Sequence, residues 1–198
     1  MTATAHPRAL DIIRTEHRSL AAVLHALQYL AREIRDHGAA PDYGLLRLMV
    51  DYIDSFHQRF HHPKEDDFLF RAIRLRTREG DTLLADLEAQ HAEGDGWLLN
   101  LREAVNHLQA SAGERTVEFA KAVDLYVDFH WEHMRKEEEE AMPLAQRVLS
   151  AEDWREIDAA FTDNDDPMFG RTPRQEYAAL FKLILSQAPP PVGYGPNT

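Results

Sequence analysis

The 198-residue chain has no cysteine, which excludes disulfides, zinc–thiolate sites, iron–sulfur clusters and thiol chemistry. Any metal must then be held by histidine, aspartate or glutamate. The N-terminus, MTATAHPRAL, lacks a basic segment followed by an apolar core, and no apolar run approaches the roughly 18 residues that span a bilayer. These absences lead to the expectation of a soluble, cytoplasmic protein with no membrane partner. Positive charge is also scarce. Lys and Arg number 22 against 34 Asp and Glu, and the net charge of −12 would repel a nucleic-acid backbone over most of the surface. The densest basic stretch, Arg71 to Arg78, has no aromatic residue and reads as a solvated helix end, where cations suit the negative end of the dipole.

Glycine and proline are sparse, and the apolar residues between them recur at three and four rather than two. The spacing predicts an all-α protein. A first helix over about 8–36 carries Ile13, Leu20, Leu24, Leu27 and Ile34 inward and stops at Gly38, with Pro41 beyond. A second follows Asp42 with Leu45, Leu48, Tyr52, Phe56 and Phe60 inward, and Pro63 should kink or break it. A third starts at Asp81 as cap and runs to about Ser111. A fourth runs from Glu114 to about Val148, through Val117, Val123, Tyr126, Val127, Met134 and Leu144. Four helices of about 30 residues with short links give an antiparallel up-down four-helix bundle over residues 1–148. Residues 149–198 are expected to form a short C-terminal helical extension: Ser150 with Asp153 starts one helix, a loop covers 162–173, a second helix covers 174–186, and the end with four prolines is extended or disordered.

Four histidines and two glutamates repeat across the halves. His17 is followed 44 residues later by His61 with Glu65, and His91 is followed 42 residues later by His133 with Glu137. Residues four apart lie one turn above each other on a helix, so each His-x-x-x-Glu pair can reach one centre from one face. His17 and His91 fall in the buried stripes of their own helices. A lone core histidine has an ordinary explanation as a hydrogen-bonded interior residue. Burying four imidazoles and two carboxylates together without a cation is electrostatically expensive, and the repeat therefore points to metal. Such a set suffices for two ions and suits iron, manganese or zinc better than magnesium or calcium.

The segments Glu16-His17, Phe60-His61-His62-Pro63-Lys64-Glu65-Asp66, Gln90-His91 and His133-Met134-Arg135-Lys136-Glu137-Glu138 resemble the hemerythrin-like (HHE cation-binding) family over about residues 8 to 148. The resemblance implies a four-helix bundle holding two iron ions, joined by both glutamates and an oxo or hydroxo bridge and completed by the histidines. Oxygen-carrying members place a further histidine where this chain has Asp95, and set the last carboxylate where it has Glu138. The four-histidine pattern is closer to the bacterial HHE and repair-of-iron-centres type, which implies matched surroundings for the two metals rather than reversible oxygen carriage. Ferritin-like bundles need Glu-x-x-His on two helices, and only Glu88 with His91 fits.

Three roles compete for His57 and His130, one turn from the paired histidines: further ligands, outer hydrogen-bond partners of the ligands, or the lining of an access path. The second is favoured. His62 lies about 100° round from His61 and is expected to face solvent or an adjacent helix. His6, His25, His37 and His107 have no carboxylate partner at the His-x-x-x-Glu spacing. With no phosphate-cradling loop, partnered nucleophile or cofactor fingerprint, the expected ligands are dioxygen, peroxide or nitric oxide, bound or reduced in oxidative or nitrosative stress. The alternative is an iron-handling or iron- and oxygen-sensing module without turnover.

Overall fold

A computed structural model describes residues 7–162 and 173–196. The sequence-predicted loop over 162–173 and His6 lie almost wholly or wholly outside them. The described residues form six helical rods and no strand. The first, α1 (Arg8–His37), ends at Gly38, whose left-handed φ of 68° lets its amide bond back to the Glu33 carbonyl. The second, α2, is continuous through Tyr43–Tyr52, Ile53–His61, His62–Lys64, Glu65–Phe70 and Arg71–Arg76, and the Asp42 carboxylate caps it by accepting from the Leu45 amide at 3.0 Å. The third is α3 (Asp81–Ala110). The fourth, α4, joins Thr116–Lys136, Glu137–Ala141 and Met142–Val148. Helices α5 (Ala151–Thr162) and α6 (Pro173–Gln187) follow.

Pro63 does not break α2. Proline has no amide and crowds the preceding turn, and the rod absorbs this by widening. Ile53–His61 and Glu65–Phe70 are π-helical, with the His62 amide bonding five residues back to the His57 carbonyl. The same device recurs in α4, where Pro143 follows the π-helical turn Glu137–Ala141 and the Met142 amide bonds the Glu137 carbonyl. Both widened turns begin or end at residues of the repeated histidine and glutamate set.

Two apolar clusters form the core, one around Leu24, Leu46, Tyr52, Leu101 and Tyr126, the other around Leu10, Ile13, Phe70, Leu87 and Phe161. A buried polar layer lies between them. Along α1 and α3 the chain passes from the second cluster through the layer to the first, and along α2 and α4 it passes the other way. Each fully buried Leu, Ile or Phe contributes about 1.5–3 kcal/mol, so these clusters carry the stability while the layer between them costs it. Helix α1 packs on α4, α4 on α3 and α2 on α3, and α5 packs on α1 and on Glu65–Phe70 of α2.

Three local expectations are corrected. Val117, the second residue of α4, is exposed, and the buried face of the helix begins at Phe119 and Ala120. Asp81 is the first helical residue and makes no side-chain cap at its own helix. The described part of the tail is folded back rather than extended: the Tyr194 amide bonds Leu185 and the Gly195 amide bonds Ala188, both at 2.8 Å, and Ala188 is buried. A side chain at Gly193 would overlap the Leu185 and Ala188 carbonyls, and one at Gly195 the Gln187 carbonyl. The Ser150–Asp153 start of α5 is a reciprocal capping box, with the Ser150 amide on Asp153 at 2.8 Å and the Asp153 amide on Ser150 at 3.3 Å.

Candidate metal centre

The polar layer brings all six sequence-predicted residues together, each buried: His17 from α1, His61 and Glu65 from α2, His91 from α3, His133 and Glu137 from α4. They sort into two groups that share both glutamates, one with His17 and His61, the other with His91 and His133, and within each group the donor atoms lie within 4.8 Å of one another. The Nε2 atoms of His17 and His61 stand 3.2 Å apart, as do those of His91 and His133. Glu65 turns Oε1 to His61 at 3.3 Å and Oε2 to His91 at 3.7 Å. Glu137 turns Oε2 to His17 at 3.1 Å and Oε1 to His133 at 3.3 Å. Each carboxylate therefore offers one oxygen to each histidine pair.

The outer ring nitrogens explain why the inner ones converge. Nδ1 of His17 donates to Glu138 at 2.8 Å, that of His61 to Glu16 at 2.8 Å, that of His91 to Asp66 at 2.8 Å and that of His133 to Gln90 at 3.1 Å. The pattern is regular in sequence. The residue before each lone histidine, Glu16 or Gln90, holds the paired histidine of the next helix. The residue after each glutamate, Asp66 or Glu138, holds a lone histidine. An acceptor at Nδ1 fixes the tautomer that leaves the Nε2 lone pair free, the arrangement metal-ligating imidazoles usually have. This outer set was not read from the sequence, although each member is the immediate neighbour of a ligand candidate: Glu16 of His17, Asp66 of Glu65, Gln90 of His91 and Glu138 of Glu137.

Charge at the layer follows from burial and carboxylates. Burial alone would push His17 down, but Glu137 and Glu138 more than offset it and raise it to about 9. His91 is likewise lowered by burial and raised to about 9 by Asp66 and Glu137. His61, against burial, is raised well above the usual range by Glu65 and Glu16. His133 has no carboxylate on its outer nitrogen, and burial takes it down to about 3. Glu65 is raised by burial and by Glu137, whereas His133, His17 and His91 hold Glu137 well below the carboxylate range despite its burial. The field of the layer thus calls for positive charge, as protons on imidazoles or as metal cations.

The residues fit a metal. Glu65 Oε2 and both Glu137 oxygens are buried without a hydrogen-bond partner, a cost of about 1–3 kcal/mol each that a cation would remove. Histidine–carboxylate separations of 3.1–4.0 Å are in the range of ligands around one ion, since bonds of about 2.1 Å place neighbouring donors about 3 Å apart and opposite ones about 4 Å apart.

The remaining histidines divide. His130 donates Nδ1 to the Tyr126 carbonyl at 3.0 Å and its Nε2 has no partner; His57 has no partner at either nitrogen. Neither lies in a metal-competent group, and neither holds a ligand candidate by a hydrogen bond, so the favoured outer-partner role falls instead to Glu16, Asp66, Gln90 and Glu138. Asp95 is exposed and belongs to none of the metal-competent groups. Of the two settings expected for His62, solvent or an adjacent helix, the structure has the second: it is buried and stacks on His91 of α3 with ring centroids 3.9 Å apart. His25, His37 and His107 are exposed.

No described helix is long and apolar enough to cross a membrane. The family model for the hemerythrin HHE cation-binding domain matches residues 8–145. No curated protein and no solved structure matches the chain.

Proposed function

Because the chain belongs to the hemerythrin HHE cation-binding domain family, we propose that it is a non-haem di-iron protein that binds or reduces dioxygen, peroxide or nitric oxide in oxidative or nitrosative stress. The observation that carries this reading is the orientation of Glu65 and Glu137, each with one oxygen toward either histidine pair. Two carboxylates so placed suit two neighbouring cations. His17 and His61 would hold one ion, His91 and His133 the other, and the glutamates would serve both. Iron so bound supplies redox chemistry and open positions for small ligands.

In this reading residues 1–148 form an antiparallel up-down four-helix bundle, supported by the alternating order in which the four rods cross the two apolar clusters, and residues 149–198 form a C-terminal extension. The chain's own contribution is to hold imidazole orientation through Glu16, Asp66, Gln90 and Glu138, to keep bulk water out with the apolar clusters, and to balance the cations with buried carboxylates. Metal analysis of protein expressed with iron available tests it. The expected result is two irons per chain, with the near-ultraviolet charge-transfer absorption of a bridged diferric pair; iron-free protein, or protein with one ion or with zinc alone, overturns it.

A second reading, an iron-handling or sensing module, draws on the contacts of the extension with the ligand-bearing rod. The Tyr177 hydroxyl of α6 donates to the Ser55 carbonyl at 2.9 Å, and α5 packs on Glu65–Phe70. Metal binding would then tighten the extension, because an ion that binds only the folded state stabilises what surrounds it. Protease resistance of residues 149–198 that does not change between metal-free and iron-loaded protein would rule this reading out.

A further inference from the structure

We propose that the cleft between α1 and α6 binds a planar aromatic electron carrier with an anionic tail, of the flavin mononucleotide kind. That the ligand is flat, aromatic and anionic is read from the cleft itself; that it carries electrons rests on the di-iron reading above. Helix α6 packs mainly on α2 and leaves, on its side toward α1, a cleft of about 570 Å³. Small-molecule sites are about 300–1,000 Å³. The cleft is separate from the smaller one of about 270 Å³ beside His17, which Ala21, Trp131 and Met134 line.

Five aromatic rings line it: Tyr52 and Phe56 from α2, Tyr177 and Phe181 from α6, and Tyr194 from the folded-back tail. Tyr52 and Phe56 are buried, with Tyr177 against Phe56 at 4.9 Å between centroids and Phe181 against Tyr52 at 6.1 Å. Tyr194 is 81% exposed, a large ring with little to pack on. Aromatic rings favour ring partners, offset-stacked or edge-on, so a flat aromatic body suits these walls better than an alkyl chain. Lys182 is the one cation of the lining; it is exposed and makes no ion pair among the described residues. The one carboxylate of the lining, Glu16, is buried and already accepts from His61. These charges set the orientation of a ligand, with its ring inward and its anionic group outward at Lys182.

The inner wall reaches the metal layer. Glu16 holds Nδ1 of His61 at 2.8 Å, and the Phe56 ring lies 6.4 Å from that of His61. A ring seated against Glu16 and Phe56 is thus one side chain away from a ligand candidate. Reduction of a small oxygen or nitrogen species consumes electrons, and the chain has no cysteine in which to store them, so the donor comes from outside. A dihydroflavin in the cleft gives one electron to each of two ferric ions, releases two protons to solvent and leaves as oxidised flavin, which balances charge and atoms.

The first test uses the metal-free full chain and the fluorescence of flavin mononucleotide, which stacking on aromatic side chains quenches. Quenching should saturate with the wild type, and riboflavin, which lacks the phosphate, should bind about tenfold less tightly. Lys182→Glu should weaken flavin mononucleotide about tenfold and leave riboflavin unchanged, while Phe181→Ala should weaken both several-fold. Binding should also shift the 15N resonance of His61 Nδ1. No saturable quenching, quenching that Lys182→Glu leaves untouched, or an unmoved His61 resonance overturns the site. Should Phe181→Ala fail to fold, the exposed Lys182 still decides. The second test mixes iron-loaded, oxidised protein anaerobically with reduced flavin mononucleotide below saturation and follows the appearance of oxidised flavin. The wild type should react about tenfold faster than Lys182→Glu, and equal rates overturn the carrier role. A chain that takes up no iron overturns the di-iron reading and the carrier role with it, while the fluorescence result still decides the site.

Discussion

Gly94 of α3 packs so closely on Gln58 of α2 that a Cβ at position 94 would overlap the Gln58 amide. The glycine therefore seats the side chain whose oxygen anchors His62. The end of a glutamine side chain yields cheaply, and replacing a helix-interior glycine with alanine gains about 0.5–1 kcal/mol in propensity. Gly94→Ala should thus leave the melting temperature of the metal-free protein within a few degrees of wild type. It should nonetheless loosen the His62 ring that stacks on the ligand candidate His91, and weaken Fe2+ binding by a few-fold. Unchanged Fe2+ isotherms would show that Gln58 does not position His62.

Glu137 and Glu138 are neighbours with different duties. Glu137 points both oxygens into the layer, while Glu138 accepts from the outer nitrogen of His17. On the two-iron reading, Glu137→Gln removes a charge that both ions would share, and should reduce stoichiometry from two irons to one or fewer. Glu138→Gln should keep two irons, with affinity at the His17 site lower by about 10–100-fold. Iron content and Fe2+ titration of the two variants check this, and the reverse ranking would mean that the spacing of oxygen-carrying relatives applies here.

The helices and the six inward ligand candidates were legible because both obey one period: apolar residues at three and four, and His-x-x-x-Glu at four. The 100° step put His62 toward solvent or an adjacent helix, and it lies on the second of these, stacked on His91 of α3; that alternative was left open because the step holds for an α-helix and the residues before His62 are π-helical. The outer partners escaped for another reason. Glu16, Asp66, Gln90 and Glu138 look like ordinary polar neighbours until four helices are assembled, because each anchors a histidine on a different rod. The folded-back tail depends on backbone bonds to Leu185 and Ala188, which composition does not encode.

Asp153 links the extension to the bundle. It receives Arg76 through two bonds of 2.8 Å while capping Ser150, and Arg76 with these caps lowers it from 3.8 to about 2. A carboxyl lowered by folding stabilises above its unfolded value and loses that contribution as pH falls toward its folded value. The pair is largely solvent-screened, so about 0.5–1 kcal/mol is the relevant scale. At pH 7 Asp153→Asn should melt about 1–3 °C below wild type, and the gap should close between about pH 4 and pH 2. Melting curves across that range decide it; a gap that persists at pH 2 would assign the loss to packing and not to charge.

The cleft beside His17 makes a prediction about rate that is separate from any about metal content. Ala21 lies on its wall with Trp131 and Met134, and none of the three belongs to the ligand set. A large side chain at position 21 would fill the cleft without touching an anchored nitrogen, so Ala21→Trp should retain two irons and the wild-type absorption spectrum. If external ligands enter on this side, azide association with the oxidised protein and nitric oxide association with the reduced protein should both slow by about tenfold, equivalent to about 1.4 kcal/mol of added barrier. Stopped-flow traces at several ligand concentrations separate this from a change in affinity, because a blocked path slows binding and release together and leaves the equilibrium constant in place. Wild-type association rates in Ala21→Trp would instead direct the search to the layer's opposite side, where His57 and His130 line the interior beyond His62.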